Sequence, residues 1–266
     1  KLGLVDKNDS IVNTKLCLQP PGKLFRDCLG NVHAITQDWA CQLWTDYGEL
    51  QSYADTLETF ERVVKPCLGN IGNYYYFEYR RFHGQVLNYF AYDVENEKWI
   101  NFLELKDKVK IHQLEDPMGP NLSFASAMEE EIAQPYLAAG PPRMWDAQMQ
   151  FDYLAFFYPI PAPLHVIGDS IYIFDHHDGL IRVFEPNGDS VRTVAIDYHK
   201  SRDWERAIYI DEVLGEAYTR YDKHGVSSLC KINLVDGSVG EKIKIPRQFP
   251  KKITVRAGTA YFLSLI

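Results

Sequence analysis

The sequence predicts an all-β fold, a six-bladed β-propeller of four-stranded antiparallel blades that forms a single domain over residues 1–266. Three observations lead to this prediction. A short turn unit repeats along the chain, one segment has the pattern of four consecutive strands, and the two ends of the chain each supply part of a blade. We expect pairing of N- and C-terminal strands in one blade to close the ring.

The repeated unit is a glycine, a small polar or acidic residue, and a β-rich run that contains aromatic residues. The copies begin at Gly30, Gly72, Gly168, Gly215 and Gly258. Neighbouring copies lie about 42 to 48 residues apart, except for one interval of about twice that length. A repeat of about 42 to 48 residues is the spacing of propeller blades. One degenerate or replaced copy is therefore expected near residue 120, which brings the number of units to six.

The clearest unit is predicted to form four strands, at residues 164–167, 170–175, 180–185 and 190–196. Asp178-Gly179 and Asn187-Gly188 separate the later strands. Such pairs supply the positive φ angles that tight hairpin turns require. Four strands joined by tight turns form an antiparallel meander, which is the unit of a propeller blade.

The ends of the chain are each too short for a whole blade. Residues 2–18 supply two strands around Asn8 and Asp9, and the chain after Gly258 has room for one or two strands before Ile266. A blade shared by both ends would remove the exposed sheet edges that promote aggregation.

Residues 106–160 break the repeat. They contain a helix-like run at 123–139 and an aromatic-rich run at 144–158. Two alternatives remain open: a decorated, degenerate fourth blade, or a long insertion into a five-bladed ring.

Composition and charge exclude some classes of function. A net charge of -8 without a basic stripe makes nucleic acid an unexpected partner. No apolar run is long enough for a transmembrane segment. The five cysteines lack the paired spacing of zinc sites and are predicted to be free, buried thiols, and they leave the redox compartment undecided.

Residues 164–196 (LHVIGDSIYIFDHHDGLIRVFEPNGDSVRTVAI) resemble a blade of the NHL and TolB-like propellers, and residues 24–44 (LFRDCLGNVHAITQDWACQLW) resemble uncharacterised six-bladed propeller proteins of Bacteroidota cell envelopes. Some of those proteins carry a carboxypeptidase-regulatory-like domain. The resemblance implies an exported protein, periplasmic or associated with the cell envelope. That group shares no catalytic motif, so the resemblance implies no functional residues.

Candidate ligand-binding residues lie in polar loops. In a propeller, the loop between the second and third strands of a blade emerges on the same face as the connection between blades, and this face usually surrounds the binding funnel. Residues 106–160 should flank or cover this face. The candidates are Asp38, Trp39, Arg81, His83, Trp145, Asp175, His176, His177, Lys223 and His224.

The sharpest of these motifs is the run from Asp175 through His176 and His177 to Asp178. Its imidazoles and carboxylates are donors that bind divalent ions. Adjacent residues in a strand point to opposite sides, however, so a solvated turn is favoured over a metal site. No metal site and no cofactor are predicted, and a calcium ion at the funnel stays an open alternative.

The sequence contains no GxSxG, HExxH, P-loop or dinucleotide motif. We therefore predict a non-catalytic module of the bacterial cell envelope that binds a glycan, a peptide or a protein on the polar funnel face. One alternative is a hydrolase or lyase that acts on carbohydrates or lactones through funnel carboxylates or a central metal. Another is a structural scaffold that docks a neighbouring domain through residues 106–160.

Overall fold

The structure is a computed structural model, and it describes residues 2–5, 10–15, 19–115 and 158–264. Antiparallel strands dominate these ranges. They form four sheets of four strands and two sheets of two strands, and in every four-stranded sheet the strand order follows the chain. Among the described residues, no helix is long and apolar enough to span a membrane.

The N-terminal strands β1 (Leu2–Val5) and β2 (Ile11–Lys15) pair only with each other in the described ladders. The first four-stranded sheet consists of β3 (Lys23–Arg26), β4 (Val32–Ile35), β5 (Trp39–Asp46) and β6 (Glu49–Thr56). The second consists of β7 (Cys67–Ile71), β8 (Tyr74–Arg81), β9 (Val86–Asp93) and β10 (Lys98–Lys106).

The third sheet consists of β11 (Leu164–Ile167), β12 (Ser170–Asp175), β13 (Leu180–Phe184) and β14 (Ser190–Ala195). The fourth consists of β15 (Trp204–Asp211), β16 (Glu216–Lys223), β17 (Val226–Ile232) and β18 (Ile243–Gln248). The last two strands, β19 (Lys251–Arg256) and β20 (Thr259–Leu263), form a two-stranded sheet.

The helical elements in the described ranges are short. A single α-helical turn at Leu57–Thr59 (α1) continues into a π-helix at Phe60–Val64, and an α-helix spans Lys108–Glu115 (α2). Two 3-10 turns lie at Phe82–Gly84 and Tyr198–Lys200.

The chain divides into two compact units. The first holds the described residues of Lys1–Asn70 and Lys108–Phe157 together with Tyr75–Tyr79. The second holds Ile71–Tyr74, Arg80–Asp107 and the described residues of Tyr158–Ile266.

Consecutive sheets pack against each other in the second unit, as propeller blades do. The rings of Phe102 on β10 and Phe184 on β13 lie 5.2 Å apart between centroids. A larger cluster joins the third sheet to the fourth, and a smaller one joins the fourth sheet to β19. The buried members of the larger cluster include Phe174, Ile181, Val194, Ala217, Cys230 and Ile232; those of the smaller are Leu229, Ile245, Ile253 and Val255.

The first unit has its own core and a covalent link. Ile35, Ala40 and Phe60 are buried together where the π-helix covers the first four-stranded sheet. A disulfide joins Cys28 to Cys67, with 5.6 Å between their Cα atoms. It closes a loop that includes three strands of that sheet, β4, β5 and β6.

The repeated glycines occupy the predicted place. Each lies between the first and second strands of a sheet with a positive φ, from 55° at Gly72 to 85° at Gly30. The strands predicted over residues 164–196 match β11 to β14 to within one residue at each end. The all-β class and the four-stranded antiparallel sheet are therefore confirmed.

The predicted number of blades is wrong, because the described residues form four complete blades and not six. The predicted blade shared by the chain ends is also not formed by the described residues, in which β1–β2 and β19–β20 are separate two-stranded sheets. The repeated glycine turn marks only the start of a hairpin, and in the described part of the chain the hairpin at Gly258 has no further strands. The unit expected near residue 120, including the helix-like run at 123–139, lies outside the described residues.

The cysteine prediction is wrong for Cys28 and Cys67, because tertiary packing brings together two thiols that lie 39 residues apart. Cys230 is a free thiol and is fully buried, as predicted. Cys17 lies outside the described residues.

Candidate functional site

Asp175 ends β12 and builds the turn that follows it. Its side chain is fully buried, and its carboxylate accepts hydrogen bonds from the backbone N–H groups of His177 and Asp178, both at 3.1 Å. The guanidinium of Arg182 donates a further hydrogen bond at 2.9 Å. The carboxylate is thus occupied by its own turn.

The same turn occurs at the ends of two other strands. Asp93 accepts from the backbone N–H groups of the residues two and three positions later, at 3.0 and 3.2 Å. Asp211 does the same at 3.1 and 3.2 Å, and also accepts from the backbone of Ala257 and Gly258 at 2.9 and 2.7 Å. Because the arrangement recurs in three sheets, we interpret it as a structural turn and not as a feature of one site.

His176 is held by both of its ring nitrogens. Nδ1 lies 3.0 Å from the carbonyl oxygen of Pro161, and Nε2 lies 3.0 Å from the hydroxyl of Tyr198. A carbonyl oxygen can only accept, so Nδ1 carries the hydrogen and the hydroxyl donates to Nε2. Burial lowers the pKa of His176 to about 4, so the ring is neutral at physiological pH.

Aromatic rings surround His176 at the end of the third sheet where the chain crosses to the fourth. The centroid of its ring lies 4.7 Å from that of Trp204 and 5.5 Å from that of His199. Trp204 donates its indole N–H to the hydroxyl of Thr219 at 2.7 Å. This packing uses both His176 and Trp204 as structural groups.

Residues 158–163 connect this cluster to the second sheet. Arg80 donates to the carbonyl oxygen of Ile160 at 3.0 Å, and the guanidinium of Arg206 lies 3.8 Å from the centroid of the Tyr158 ring. The fully buried side chain of Gln85 donates to the carbonyl oxygen of Tyr158 at 3.2 Å. The turns of three consecutive sheets in the second unit are therefore tied together.

An open cleft of about 740 Å³ lies beside the aromatic cluster, and we call it the first cleft. One side is formed by the turn after β12 and the connection from β14 to β15, and the other by the turn after β17. The polar side chains that line it are His177, Asp178, Asp197, His199, Lys200, Asp236 and Ser238.

Several of these polar groups are available to a ligand. Among the described residues, the side chains of Asp197 and Lys200 have no hydrogen-bond partner, and Nδ1 of His199 is buried without one. Burial, followed by the nearby charge of Lys200, lowers the pKa of His199, which keeps its ring neutral. The cleft thus presents carboxylate acceptors, an ammonium donor and neutral imidazole.

The far wall of the first cleft is the turn of Asp236, Gly237 and Ser238. Asp236 accepts hydrogen bonds from the backbone N–H and hydroxyl of Ser238 at 2.9 and 2.6 Å. These two hydrogen bonds lower the pKa of Asp236, and the bond from the Ser238 hydroxyl has the larger effect. The carboxylate is therefore ionised at neutral pH. A Cβ atom on Gly237 would lie 2.0 Å from the carbonyl oxygen of Ala195, so only glycine permits this close approach.

Of the nine predicted ligand-binding residues that the structure describes, only His177 lies in this cleft, together with its neighbour Asp178. Nε2 of His177 lies 4.0 Å from the Asp178 carboxylate. Asp175 and His176 lie next to the cleft but face inward, where they are almost fully enclosed.

The other predicted residues lie in separate places. Asp38 and Trp39 belong to the first unit, where the Asp38 carboxylate accepts from the side chain of Gln19 at 2.6 Å and Trp39 is 37% exposed. His224 is exposed in the turn after β16, where it has a positive φ, and Lys223 ends that strand. Trp145 lies outside the described residues.

Arg81 and His83 lie at the end of β8 in the second unit. The guanidinium of Arg81 lies 3.2 Å from the carboxylate of Glu104, and both side chains are partly exposed. His83 has a positive φ, and burial lowers the pKa of its ring.

Sequence reasoning missed Asp197, His199, Lys200 and Asp236. The connection between blades was predicted to share a face with the loop after β12, and that rule points to Asp197, His199 and Lys200. Asp236 lies in the turn between the third and fourth strands of the next sheet, and no local signal in the sequence links it to this cleft.

Among the described residues, no group of three or more histidine, cysteine, aspartate or glutamate side chains is arranged to hold a metal ion. A calcium ion at the funnel stays a prediction.

Comparisons with known proteins give fold-level likeness only. No protein-family model and no curated protein matches the chain. A luciferin-regenerating enzyme is similar with a TM-score of 0.38 and 9% identity over 89% of this chain. A protein from Lactobacillus plantarum is similar with a TM-score of 0.32 and 10% identity over 91%. A provisionally named 6-phosphogluconolactonase from Bacteroides uniformis has a TM-score of 0.32 and 13% identity over 90%.

This chain spans 63% and 58% of the length of the first two of these proteins, and 74% of the third. At these identities and TM-scores the likenesses assign neither an activity nor a ligand to this chain. The resemblance to NHL and TolB-like blades and to Bacteroidota envelope proteins stays a prediction.

Proposed function

We propose that this chain is a non-catalytic binding module that holds a polar ligand in the first cleft. The observation that carries the proposal is the set of unpaired polar groups there: the carboxylate of Asp197, the ammonium of Lys200 and Nδ1 of His199. An open concave surface with several unpaired donors and acceptors fits reversible ligand binding.

The states of the neighbouring titratable groups favour binding over catalysis. A general base must be able to reach the proton that it takes and to change its own protonation state near the working pH. His176 makes hydrogen bonds through both nitrogens and has a pKa of about 4, and the carboxylate of Asp175 is consumed by its turn and by Arg182. Neither group is free to serve a substrate.

One observation supports the alternative of a hydrolase. His177 lies beside Asp178 in the first cleft, with 4.0 Å between ring nitrogen and carboxylate, and it is partly exposed. An exposed imidazole beside a carboxylate could act as a base on an ester, lactone or glycoside. Turnover of an ester, a lactone and a glycoside is therefore assayed alongside binding.

We further propose that the protein works outside the cytoplasm, in the periplasm or cell envelope. The disulfide between Cys28 and Cys67 supports this location, since structural disulfides persist mainly in oxidising compartments. Thiol trapping in the native organism should recover both cysteines oxidised. Recovery of both as free thiols in living cells would contradict the proposed location.

The test of binding is a thermal-unfolding screen with oligosaccharides, peptides and calcium, run with and without a chelator. A ligand that binds only the folded state at 100 times its Kd adds about 2.7 kcal/mol to stability, which corresponds to an increase of roughly 5 to 10 °C in Tm. Asp197→Asn should weaken the response to a hit, because Asp197 lines the cleft.

Asp169→Asn is the matched control, since Asp169 is an exposed carboxylate in the turn between β11 and β12, at the opposite end of the same sheet. Equal responses of the two variants would move the binding site away from the first cleft. Turnover of an ester, lactone or glycoside that is lost in His177→Ala would contradict the non-catalytic binding module and support the hydrolase.

A further inference from the structure

A second cleft adjoins the first across residues 233–240. Its volume is about 630 Å³, and it is lined by the turn between β15 and β16 and by the segment between β17 and β18. Ser238 lines both clefts, so the two are separated only by this segment.

The lining of the second cleft combines apolar and polar side chains and is electrically balanced. Its apolar side chains are Leu214, Ile232, Leu234 and Val239. Its two charged side chains pair with each other, since Nζ of Lys231 lies 2.5 Å from the carboxylate of Glu216. Leu214 is 51% exposed, so this cleft offers apolar surface to a ligand without an unpaired charge.

The charges that line the first cleft, by contrast, are not balanced. It contains the carboxylates of Asp178, Asp197 and Asp236 against the ammonium of Lys200. Asp178 pairs with Arg182 at 2.5 Å, and the same guanidinium also pairs with the buried Asp175. The carboxylates of Asp197 and Asp236 still outnumber the ammonium, so the cleft favours a cationic group.

The dividing segment is held by hydrogen bonds and close packing, which set the spacing of the two clefts. The backbone N–H of Asn233 donates to the carbonyl of Ser238, and that of Gly237 donates to the carbonyl of Asn233, both at 2.8 Å. Arg192 donates to the carbonyl of Leu234 at 3.2 Å, and Gly237 fits closely against Ala195. A preorganised pair of clefts selects ligands whose two groups have the matching separation.

We propose that the ligand is a peptide segment in which a cationic side chain enters the first cleft and a nearby apolar side chain enters the second. This inference rests on the proposed binding function and names the class of ligand. A glycan is less favoured, because none of the residues that line either cleft is tryptophan, tyrosine or phenylalanine, the usual stacking platforms for sugar rings.

The experiment uses blocked tetrapeptides with one arginine and one leucine, adjacent or separated by one or two glycines. Companion peptides carry glutamine for arginine or serine for leucine. Affinity is measured by isothermal titration, with a panel of neutral oligosaccharides as the comparison. We expect one spacing to bind best, and each companion peptide to bind about tenfold more weakly, the effect of losing about 1.4 kcal/mol.

Variants assign each side chain of the peptide to a cleft. The pair Asp197→Asn and Asp236→Asn should weaken every arginine-containing peptide, whereas Leu214→Ser should weaken only those with leucine. Val94→Ser, an exposed apolar residue between β9 and β10, is the control for Leu214, and Asp169→Asn is the control for the carboxylates.

Each outcome supports or overturns one claim. Equal affinity for the leucine and serine peptides would overturn the role of the second cleft and leave the binding module standing. Binding of oligosaccharides in the first cleft with all peptides inert would overturn the peptide ligand alone. Peptide binding that the variants of both clefts leave unchanged would overturn the proposed function as well.

Discussion

The hydrogen bonds of His176 should make the stability of the protein depend on pH. Its ring packs against Tyr198, Trp204 and His199, with the charge of Arg206 nearby and Nδ1 committed to the carbonyl of Pro161. Its pKa is about 4 in the folded protein, against an ordinary value of 6.5. The unfolded chain therefore takes up a proton at a higher pH than the folded chain does.

The sign of the effect follows from this difference. Well above pH 6.5 this ring is neutral in both states, so its contribution does not change with pH. As the pH falls from 6.5 towards 4, only the unfolded state is protonated, and the free energy of unfolding falls. The loss from this residue alone is about 2 kcal/mol at pH 5 and about 3 kcal/mol at pH 4.

The assay is urea unfolding at pH 7 and pH 5 for the wild type and for His176→Gln. His165 also has a pKa of about 4 because of burial, and it contributes to the pH dependence of both proteins. The difference between them therefore isolates His176. We expect the drop in the free energy of unfolding between the two pH values to be about 2 kcal/mol smaller in the variant. Equal drops would refute the assignment of His176 as a neutral, structural group.

Three further predictions concern the framework around the clefts. Replacing both Cys28 and Cys67 by serine should lower the free energy of unfolding by about 4 kcal/mol, because the disulfide no longer restricts a loop of this length in the unfolded chain. Urea unfolding measures the change, and an unaltered free energy of unfolding would contradict the disulfide. Gly237→Ala should lower the free energy of unfolding by at least about 2 kcal/mol in the same assay, since φ is 78° there and the new Cβ meets a backbone carbonyl. An unchanged free energy of unfolding would show that the wall of the cleft can move. Asp211→Ala should lower Tm far more than Asp169→Ala, because it leaves four backbone N–H groups without their acceptor, and calorimetry showing equal Tm values would contradict that role.

The features that the sequence predicted well are local ones. A positive φ is a property of one residue, so the glycines at Gly30 and Gly168 mark their hairpin turns without reference to the rest of the fold. The strands at 164–196 alternate clearly and have turn pairs between them, which placed β11 to β14 to within a residue.

The features that the sequence did not predict depend on tertiary packing. The pairing of Cys28 with Cys67 depends on the path of the intervening sheet. The completion of the terminal hairpins depends on whether other strands reach their edges, and β20 gains no partner besides β19 in the described residues.

The candidate site was predicted only in part, because it too depends on tertiary packing. The turn after β12 was identified from its titratable residues, yet burial turned Asp175 and His176 into structural groups and left His177 in the cleft. Asp236 comes from a different sheet. The close contact of Gly237 with Ala195 and the hydrogen bond from Arg192 to Leu234 bring that carboxylate to the site.

The most direct test of the binding function is isothermal titration of the strongest ligand from the screen into three proteins: the wild type, Asp197→Asn and Asp169→Asn. If the first cleft is the binding site, Asp197→Asn should raise Kd about tenfold, the effect of losing one charge-assisted contact, and Asp169→Asn should leave Kd unchanged. A Kd that is the same in all three proteins would contradict the central claim.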